Sequence, residues 1–331
     1  MSALDVSVVV VSFNTRDLLR ECLATLEEDA AASGFSHETV VVDNASRDGS
    51  ADMVEAEFPA AKLVRSDVNL GFAGANNRAF AVARGRHVVL LNSDAFLRPD
   101  ALALAIARMD AEPEVGLAGG RLVGRDGAWQ PSARMFPSLT NELLTLSGLS
   151  ARYPHSRFFG RPDRTWADPL EEAEVDWVPG AFSILRREAL ERVGAFDERF
   201  FLYYEEVDLC RRIHEAGYHV RYWPEIVVVH VGGESARTVD GAGGVSESGA
   251  QLTLWRLRSA LLYHRKHHGW TGALAAAAGE SVWHRARAWK NAAADDPESR
   301  AKADESRRIA ALLRRAWRET DGGRISPPQP W

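Results

Sequence analysis

The alternation of strand-like and helix-like segments in the first 120 residues limits what this chain can fold into more than any other feature. The valine-rich run Val6–Val11 has the pattern of a strand covered on both faces, and helically spaced leucines follow it. Such βαβ alternation indicates an α/β fold with an open, mainly parallel sheet flanked by helices. The predicted strands are Val6–Val11, Thr39–Val42, Lys62–Arg65, His87–Leu91 and Val115–Ala118, and the predicted helices are Thr15–Leu26, Asp48–Phe58, Ala73–Arg84 and Ala101–Met109.

The second half of the sequence is less regular. Residues 119–176 mix glycine, proline and arginine, and regular patterns return at Val175. The segment VDWVPGAFSILRREAL predicts strand, glycine turn, strand and helix, EEVDLCRRIHEAG predicts a helix that ends at Gly217, and YHVRYW and IVVVHV predict strands. Residues 232–250 contain six glycines and no hydrophobic face, which predicts a mobile loop. From Gln251 onwards the pattern is helical.

Composition restricts the function classes. The 331-residue chain has a formal net charge of −6, whereas a nucleic-acid-binding domain is usually strongly basic, so we expect no nucleic-acid partner. Two cysteines, Cys22 and Cys210, indicate no disulfide framework, as in a reducing cytoplasm. The amino terminus lacks the basic region of a signal peptide, and no apolar run approaches the ~20 residues that span a bilayer. We therefore expect a cytoplasmic protein, soluble or attached only to a membrane surface, and its oligomeric state stays open.

Polar side chains follow three of the predicted parallel strands. The first strand leads into Ser12 and Asn14, the second into Asp43 and Asn44, and the fourth into Asn92, Ser93 and Asp94. In open α/β sheets the carboxyl ends of the strands form the ligand-binding edge. Each aspartate alone has an ordinary interpretation, because aspartate is common in the turns after strands. Their convergence on one edge is what indicates a binding site.

Two common nucleotide-binding motifs are absent. The glycine-containing segment NLGFAGANN follows the third strand, not the first, and its glycines do not match Gly-X-Gly-X-X-Gly. The turn after the first strand has no glycine that would let a pyrophosphate approach the helix closely. A nicotinamide-dependent dehydrogenase and a P-loop protein are therefore not expected.

Six short motifs occur in the order found in one enzyme family. They are VSVVVVSFN, VVVDNASRDGS, NLGFAGANN, LNSDA, FDERFFLYYEEVDLCRRI and VVVHVGGES. With these motifs the chain resembles the family 2 glycosyltransferases of GT-A fold, and among them the bacterial rhamnosyltransferase-like branch that builds cell-surface polysaccharides. The resemblance extends from Val6 to Ser235. Each motif is weak alone, and their order carries the resemblance.

The resemblance implies a metal site. Family members carry Asp-X-Asp or Asn-X-Asp where this chain has Asn92-Ser93-Asp94, and a metal-binding histidine before Gly-Gly where it has His230. It implies that Asp94 and His230 hold Mg²⁺ or Mn²⁺ against the donor diphosphate, with Asn92 at ribose or metal-bound water. Since Asp94 carries the only formal charge of its motif, we expect a water-rich and weakly held ion. Without the resemblance, a lone histidine at a strand end is more often structural.

The strand ends are also expected to bind the nucleotide. Asp43 is either a turn residue or the acceptor of a base imide or ribose hydroxyl, and both interpretations can hold together. Backbone groups near Ser12 and Asn14 would frame the base. Asn69, Asn76 and Asn77 are predicted to cap a helix and to line the nucleotide edge, with Asn44 and Ser93 completing the predicted donor-binding set.

The acidic pair in YYEEVDLCRR is the predicted catalytic centre. An inverting transfer needs one base to deprotonate the acceptor hydroxyl. The family usually has Glu-Asp here, so by position Glu206 is the base and Glu205 contacts the acceptor; the alternative is an ordinary charged first helical turn. Asp208 is predicted at the acceptor or paired with Arg211 or Arg212. Trp177 is either an acceptor platform or a core tryptophan.

These expectations define an inverting, metal-dependent glycosyltransferase. The donor would be dTDP-linked rhamnose or a UDP-sugar, and the acceptor a glycan or lipid-linked glycan in cell-surface polysaccharide synthesis. We expect a catalytic domain over residues 1–250, with a nucleotide-binding half in 1–120 and an acceptor-binding half in 121–250, and a helical extension over 251–331. The 232–250 loop would then close over the donor. A sugar nucleotidyltransferase and a non-catalytic glycan-binding module are the alternatives.

The segment WRLRSALLYHRKHHGW predicts an amphipathic basic helix. Its leucines, Leu254, Leu257, Leu261 and Leu262, lie opposite Arg256, Arg258, Arg265 and Lys266. Such a helix can lie on an anionic membrane surface. The alternative is that its apolar face packs on the protein and its basic face is solvated.

Overall fold

The computed structural model describes residues 4–232, 246–292 and 296–327. Within them the chain forms two compact units. The first contains Met1–Phe136, Asp163–Asp197 and Glu205–Val239, and the second contains Pro137–Pro162, Glu198–Tyr204 and Asp240–Trp331. The predicted mobile loop falls mainly on residues 233–245, which lie outside the described residues.

The first unit is built around one sheet. Its strands are β1 (Val6–Ser12), β2 (His37–Asn44), β3 (Lys62–Ser66), β4 (His87–Asn92), β5 (Ala95–Leu97), β6 (Val115–Val123), β7 (Trp129–Gln130), β8 (Ala173–Glu174), β9 (Phe182–Arg186) and β10 (His219–His230). The five strands predicted in the first half are present with slightly longer bounds. The segments YHVRYW and IVVVHV form one strand, β10, because a β-bulge between Trp223 and Val227 lets the chain continue through Pro224.

Helices cover the sheet in the first unit and make up most of the second. In the first unit they are α1 (Arg16–Ser33), α2 (Ser50–Glu57), α3 (Gly71–Phe80), α4 (Ala101–Ala111), α7 (Arg187–Val193) and α8 (Glu205–Glu215). In the second they are α5 (Leu139–Leu146), α6 (Leu149–Arg152), α9 (Ser246–Ala292) and α10 (Pro297–Glu319). Helix α9 breaks at Gly269, whose φ of 70° and ψ of −171° are not helical. No described helix is long and apolar enough to cross a membrane.

The sheet is open and mixed, in the order β3-β2-β1-β4-β9-β6-β10-β5, with β7 on β6 and β8 on β10. Strands β3, β2, β1 and β4 are parallel, as the βαβ pattern predicted. Strand β9 runs antiparallel between β4 and β6, and β5 is antiparallel to β10. The prediction of an α/β sheet flanked by helices is confirmed, and its parallel character is confined to the first four strands and the β6–β10 pair.

Both faces of β1 are buried. Val8 and Val10 belong to one apolar core with Leu19 and Leu23 of α1, whereas Val9 belongs to the core on the other face. Because both faces of the strand are covered, valine occupies consecutive positions instead of alternating with polar residues. The carboxyl ends of the parallel strands are therefore held rigidly between two helical layers.

In the second unit the leucine face of α9 is covered by protein. Leu254, Leu257 and Leu261 are buried in a cluster with Leu313 and Ala316 of α10. Arg258 is also buried and forms an ion pair with Glu319. Of the two arrangements that the sequence left open for this helix, the structure has the packed one at Leu254–Leu261, because α10 occupies the apolar stripe.

Candidate active site

The register of β5 against β10 brings Asp94 to His230. His230 is the partner of Ala95 in this antiparallel pair, and the Val231 N–H donates to the Asp94 carbonyl at 3.0 Å. The two residues are far apart in sequence, yet Asp94 Oδ1 lies 3.7 Å from His230 Nε2. Asp94 is 3% exposed, and His230 is half-buried. The predicted pair therefore shares one site.

This separation fits two ligands of one divalent ion. Donors at about 2.1 Å from a shared ion lie about 3.0 Å apart at a right angle and about 4.2 Å apart in line. An oxygen and an imidazole nitrogen form a donor set that first-row divalent metals accept. Within the described residues no third His, Cys, Asp or Glu completes a protein-only site. Any ion held here would take its remaining ligands from substrate and water.

Gln130 fixes the orientation of His230. The Gln130 Nε2 amide donates to the His230 carbonyl at 2.8 Å, which leaves Oε1 to accept from His230 Nδ1 at 3.0 Å. The ring proton is therefore on Nδ1, and the lone pair of Nε2 points to the side of Asp94. Burial lowers the pKa of His230 and so favours the neutral, ligating form. No sequence pattern pointed to Gln130, because β7 is only two residues long.

Asp43 has one carboxylate oxygen available to a ligand. Its Oδ2 accepts the Ser46 N–H at 3.3 Å, which forms the predicted turn. Its Oδ1 is buried and has no hydrogen-bond partner in the protein. A buried acceptor without a donor is costly, so a base N–H or a ribose hydroxyl at this position would be favoured.

Ser12 and Ser93 are joined beneath the strand ends through Thr15. Thr15 Oγ1 donates to Ser93 Oγ at 2.9 Å and lies 3.1 Å from Ser12 Oγ. All three residues are buried, so their side chains tie the end of β1 to the end of β4. Asn92, directly before Ser93, is half-buried at the edge.

Asn14, Asn44 and Asn69 connect the loops that follow the first three strands. Asn14, at a φ of 53°, accepts the Arg47 N–H at 2.7 Å. Asn44 donates to Asn69 Oδ1 at 3.0 Å and accepts the Leu70 N–H at 2.8 Å. These bonds give the predicted nucleotide edge a fixed backbone.

Asn76 and Asn77 lie inside α3 and do not cap its start. The Asn76 amide donates to the Phe72 carbonyl at 2.8 Å. Asn77 donates to the Phe196 carbonyl at 2.9 Å and accepts the Phe196 N–H at 3.0 Å. The capping prediction is therefore wrong for both residues. The donor contact predicted for them stays a prediction.

The acidic pair begins α8. Glu205 is 4% exposed and Glu206 is half-buried, and each has a buried Oε2 without a hydrogen-bond partner. Burial, followed by the charge of Glu206, raises the pKa of Glu205 well above its ordinary value. Burial also raises the pKa of Glu206, against the helix amino terminus and the positive charge of Arg134. Both carboxylates therefore bind a proton more tightly than a solvated glutamate does, which suits a general base.

Trp177 and Arg134 form one supporting layer beside this pair. The Arg134 guanidinium lies 5.0 Å from the centroid of the Trp177 ring and 3.3 Å from Asp163. The Trp177 indole N–H donates to the Met135 carbonyl at 3.0 Å. Trp177 is half-buried, with one face covered by Arg134.

Asp208 is fully buried on α8 and pairs with Arg212 at 2.9 Å. Arg212 in turn donates to the carbonyls of Val193, Gly194 and Ala195. The pairing with Arg212 is one of the two arrangements predicted for Asp208. Its acceptor contact stays a prediction, and Asp208 here anchors the loop after α7.

Polar strand ends, an aspartate beside a histidine and an acidic pair at a helix start are the features that the sequence motifs predicted for a nucleotide-sugar site. The family model of glycosyl transferase family 2 matches residues 7–194. The chain belongs to this family and is a glycosyltransferase. This membership sets aside the nucleotidyltransferase and the non-catalytic glycan-binding module.

Curated relatives include rhamnosyltransferases. The chain is 30% identical over 236 residues to the N-acetylglucosaminyl-diphospho-decaprenol L-rhamnosyltransferase of Mycobacterium tuberculosis, covering 67% of this chain and 75% of that protein. It is 23% identical over 237 residues to the rhamnosyltransferase WbbL of Escherichia coli, covering 68% and 83%.

The structure resembles the mannosyltransferase PcManGT of Pyrobaculum calidifontis, which was solved with GDP-Man and Mn²⁺. The TM-score is 0.52 at 20% identity, and the match covers 96% of this chain and 88% of that one. At this identity the likeness shows the fold, which is GT-A, as the sequence motifs implied.

Proposed function

We propose that this chain is an inverting glycosyltransferase that transfers rhamnose or a similar sugar from a dTDP- or UDP-linked donor. The acceptor is a glycan or a lipid-linked glycan of cell-surface polysaccharide synthesis. The observation that carries the proposal is the 3.7 Å approach of Asp94 to His230 at the carboxyl edge of the sheet. The names of the rhamnosyltransferase relatives support the sugar, and the lipid-linked substrate in one of those names supports the acceptor.

Asp94 and His230 would hold a divalent ion, Mg²⁺ or Mn²⁺, between them. When bound, such an ion neutralises the negative charge that develops on the departing diphosphate. Gln130 keeps the Nε2 lone pair of His230 directed for this purpose. The presence of Mn²⁺ in the mannosyltransferase structure supports the metal in this fold.

Asp43 would recognise the nucleoside. Its unpartnered Oδ1 is suited to the imide N–H of uracil or thymine or to a ribose hydroxyl. The loops after β1, β2 and β3 would hold the nucleotide with little rearrangement, since asparagine side chains already join them to one another. Residues 1–120 would thus be the donor-binding half, and residues 121–250 would supply the acceptor site with Trp177.

Glu206 would act as the base. As the acceptor hydroxyl oxygen forms its bond to the anomeric carbon, its proton passes to the Glu206 carboxylate. The bond from the anomeric carbon to the phosphate oxygen breaks on the opposite face, and the nucleoside diphosphate leaves. Because Glu206 is the more exposed member of the pair, it is better placed than buried Glu205 to reach an acceptor.

The proposal is tested with Asp94→Ala and Glu206→Gln in donor-binding and transfer measurements. A thermal-shift screen of dTDP-, UDP- and GDP-sugars with Mn²⁺ or with EDTA should show a metal-dependent stabilisation that Asp94→Ala loses. Glu206→Gln should keep that stabilisation while its transfer rate falls by at least about 10²-fold, the usual contribution of a general base. Glu191→Gln, an exposed acid, is the control. Full transfer activity in Glu206→Gln would reject Glu206 as the base. Donor binding that depends on neither Asp94 nor metal would reject the proposed metal site.

A further inference from the structure

The second half of α9, residues 270–292, carries apolar side chains on an outward face. Trp270 is 52% exposed, Leu274 40%, Val282 64% and Trp289 82%. With Ala278 between them, they recur at intervals of four, four, four and seven residues, which places them on one stripe of the helix. Isolated exposed apolar residues are ordinary, whereas a stripe of this kind marks an interaction surface.

The opposite face of this helix is already packed. Ala273 and Ala276 are buried, and Arg287 forms an ion pair with Glu305 of α10. The exposed stripe is therefore not the face that holds α9 to its own unit. This is also a different surface from the leucine face before Gly269, which α10 covers.

The charge around the stripe is positive. Residues 270–292 hold three cationic side chains, Arg285, Arg287 and Lys290, against the single acid Glu280, and Arg287 is paired with Glu305. Glu280 is half-buried and bonded to Arg256 at 2.7 Å. Arg285 lies within the stripe and Lys290 beside it, and both are exposed. A surface facing these residues should carry negative charge.

We propose that this stripe docks onto an anionic lipid bilayer, with the helix lying in the plane of the headgroups. Tryptophan near each end suits the interface, where an apolar ring and an N–H are both accommodated. The basic side chains would reach anionic headgroups while Leu274 and Val282 enter the acyl boundary. This inference does not depend on the proposed reaction.

A second copy of the chain is the less favourable occupant. Paired stripes would bring cationic side chains together across the interface. The four apolar side chains also expose only roughly 500 Å² in total, given about 150–250 Å² for a whole aromatic side chain. A stable dimer uses about 800 Å² from each partner.

The test is co-sedimentation of the full chain with vesicles of phosphatidylcholine alone or mixed with phosphatidylglycerol. We expect binding to the anionic vesicles, and the double variant Trp270→Ser/Trp289→Ser should lower it by about tenfold or more. Arg285→Gln/Lys290→Gln should lower the preference for anionic vesicles by about fivefold per residue. Leu170→Ser, at an apolar residue that is 62% exposed in the other unit, is the matched control and should bind normally.

Circular dichroism of each variant separates loss of binding from loss of folding, since the replaced side chains are exposed. Absence of binding by the wild-type chain, or undiminished binding by the tryptophan variant, would overturn the proposal. Light scattering tests whether a second copy of the chain occupies the stripe. A wild-type dimer that the tryptophan variant converts to a monomer would show a dimer interface instead of a membrane surface.

Discussion

Gln130 shows how one side chain can define the chemistry of another. Its amide nitrogen is committed to the His230 carbonyl, so its oxygen must accept from His230 Nδ1. This arrangement leaves His230 one available nitrogen, Nε2, on the side of Asp94. The sequence motif identifies His230, but the contact with Gln130 that fixes the orientation of its ring is visible only in three dimensions.

If Asp94 and His230 hold the proposed ion, replacing Gln130 by leucine should weaken metal binding without removing either proposed ligand. We expect the Mn²⁺ concentration needed for donor binding to rise about 10- to 100-fold, as for other outer partners of metal-binding histidines. Nitrogen-15 NMR of the histidine rings should show that the His230 proton is no longer confined to Nδ1. Gln130→Glu keeps an acceptor for Nδ1–H but loses the donor to the His230 carbonyl, so comparing it with Gln130→Leu isolates the contact with the ring. An unchanged tautomer in Gln130→Leu would refute the positioning role.

The negative charge of Glu205 should destabilise the folded protein. Its raised pKa means that the folded state binds the proton more tightly than the unfolded chain does. The resulting stability is fully present below the pKa of an unfolded glutamate and is lost as the pH rises through the folded value.

Glu205→Gln should consequently raise the melting temperature by a few degrees at pH 8 and leave it nearly unchanged at pH 4. Differential scanning calorimetry at both pH values measures this, with exposed Glu191→Gln as the control. An equal change in melting temperature at the two pH values would show that removal of a buried charge is not the cause of the change.

At the scale of elements, the approach of β6 to β10 depends on small residues. A Cβ at Gly120 would lie 2.5 Å from the Ile226 carbonyl oxygen, where the β-bulge of β10 brings the backbone inward. The Gly120 carbonyl also accepts the Ser132 hydroxyl at 2.8 Å, which ties down the segment that carries Gln130 and Arg134. Gly120 thus connects the pairing of β6 with β10 to the segment that carries Gln130 and Arg134.

Gly120→Ala should push β10 away from β6 and destabilise the fold by about 1–3 kcal/mol, the usual cost of overpacking. Urea unfolding measures the change. In Gly279→Ala the added Cβ meets no atom within 4 Å, and the helix should gain up to about 1 kcal/mol. Equal stability of Gly120→Ala and the wild-type chain would show that the strands can separate at no cost.

At the scale of the whole molecule, charge is unevenly distributed along the chain. The net charge is −6, yet residues 270–292 carry three cations and one anion. The net charge disfavours general binding to polyanions, whereas a local cationic surface can still attract an anionic partner. Neither unit is a continuous stretch of the chain. Pro137–Pro162 and Glu198–Tyr204 belong to the same unit as the C-terminal helices.

The sequence by itself determined the α/β order, the family and most of the polar residues at the strand ends. It could do so because a buried parallel strand and an amphipathic helix leave local periodicities, and because polar residues that end such strands stand next to them in the chain. The tertiary structure alone decided that Asp94 meets His230, that α10 covers the Leu254–Leu261 face, and that the exposed stripe begins after Gly269. Those outcomes depend on register and packing between distant segments, which no local pattern encodes.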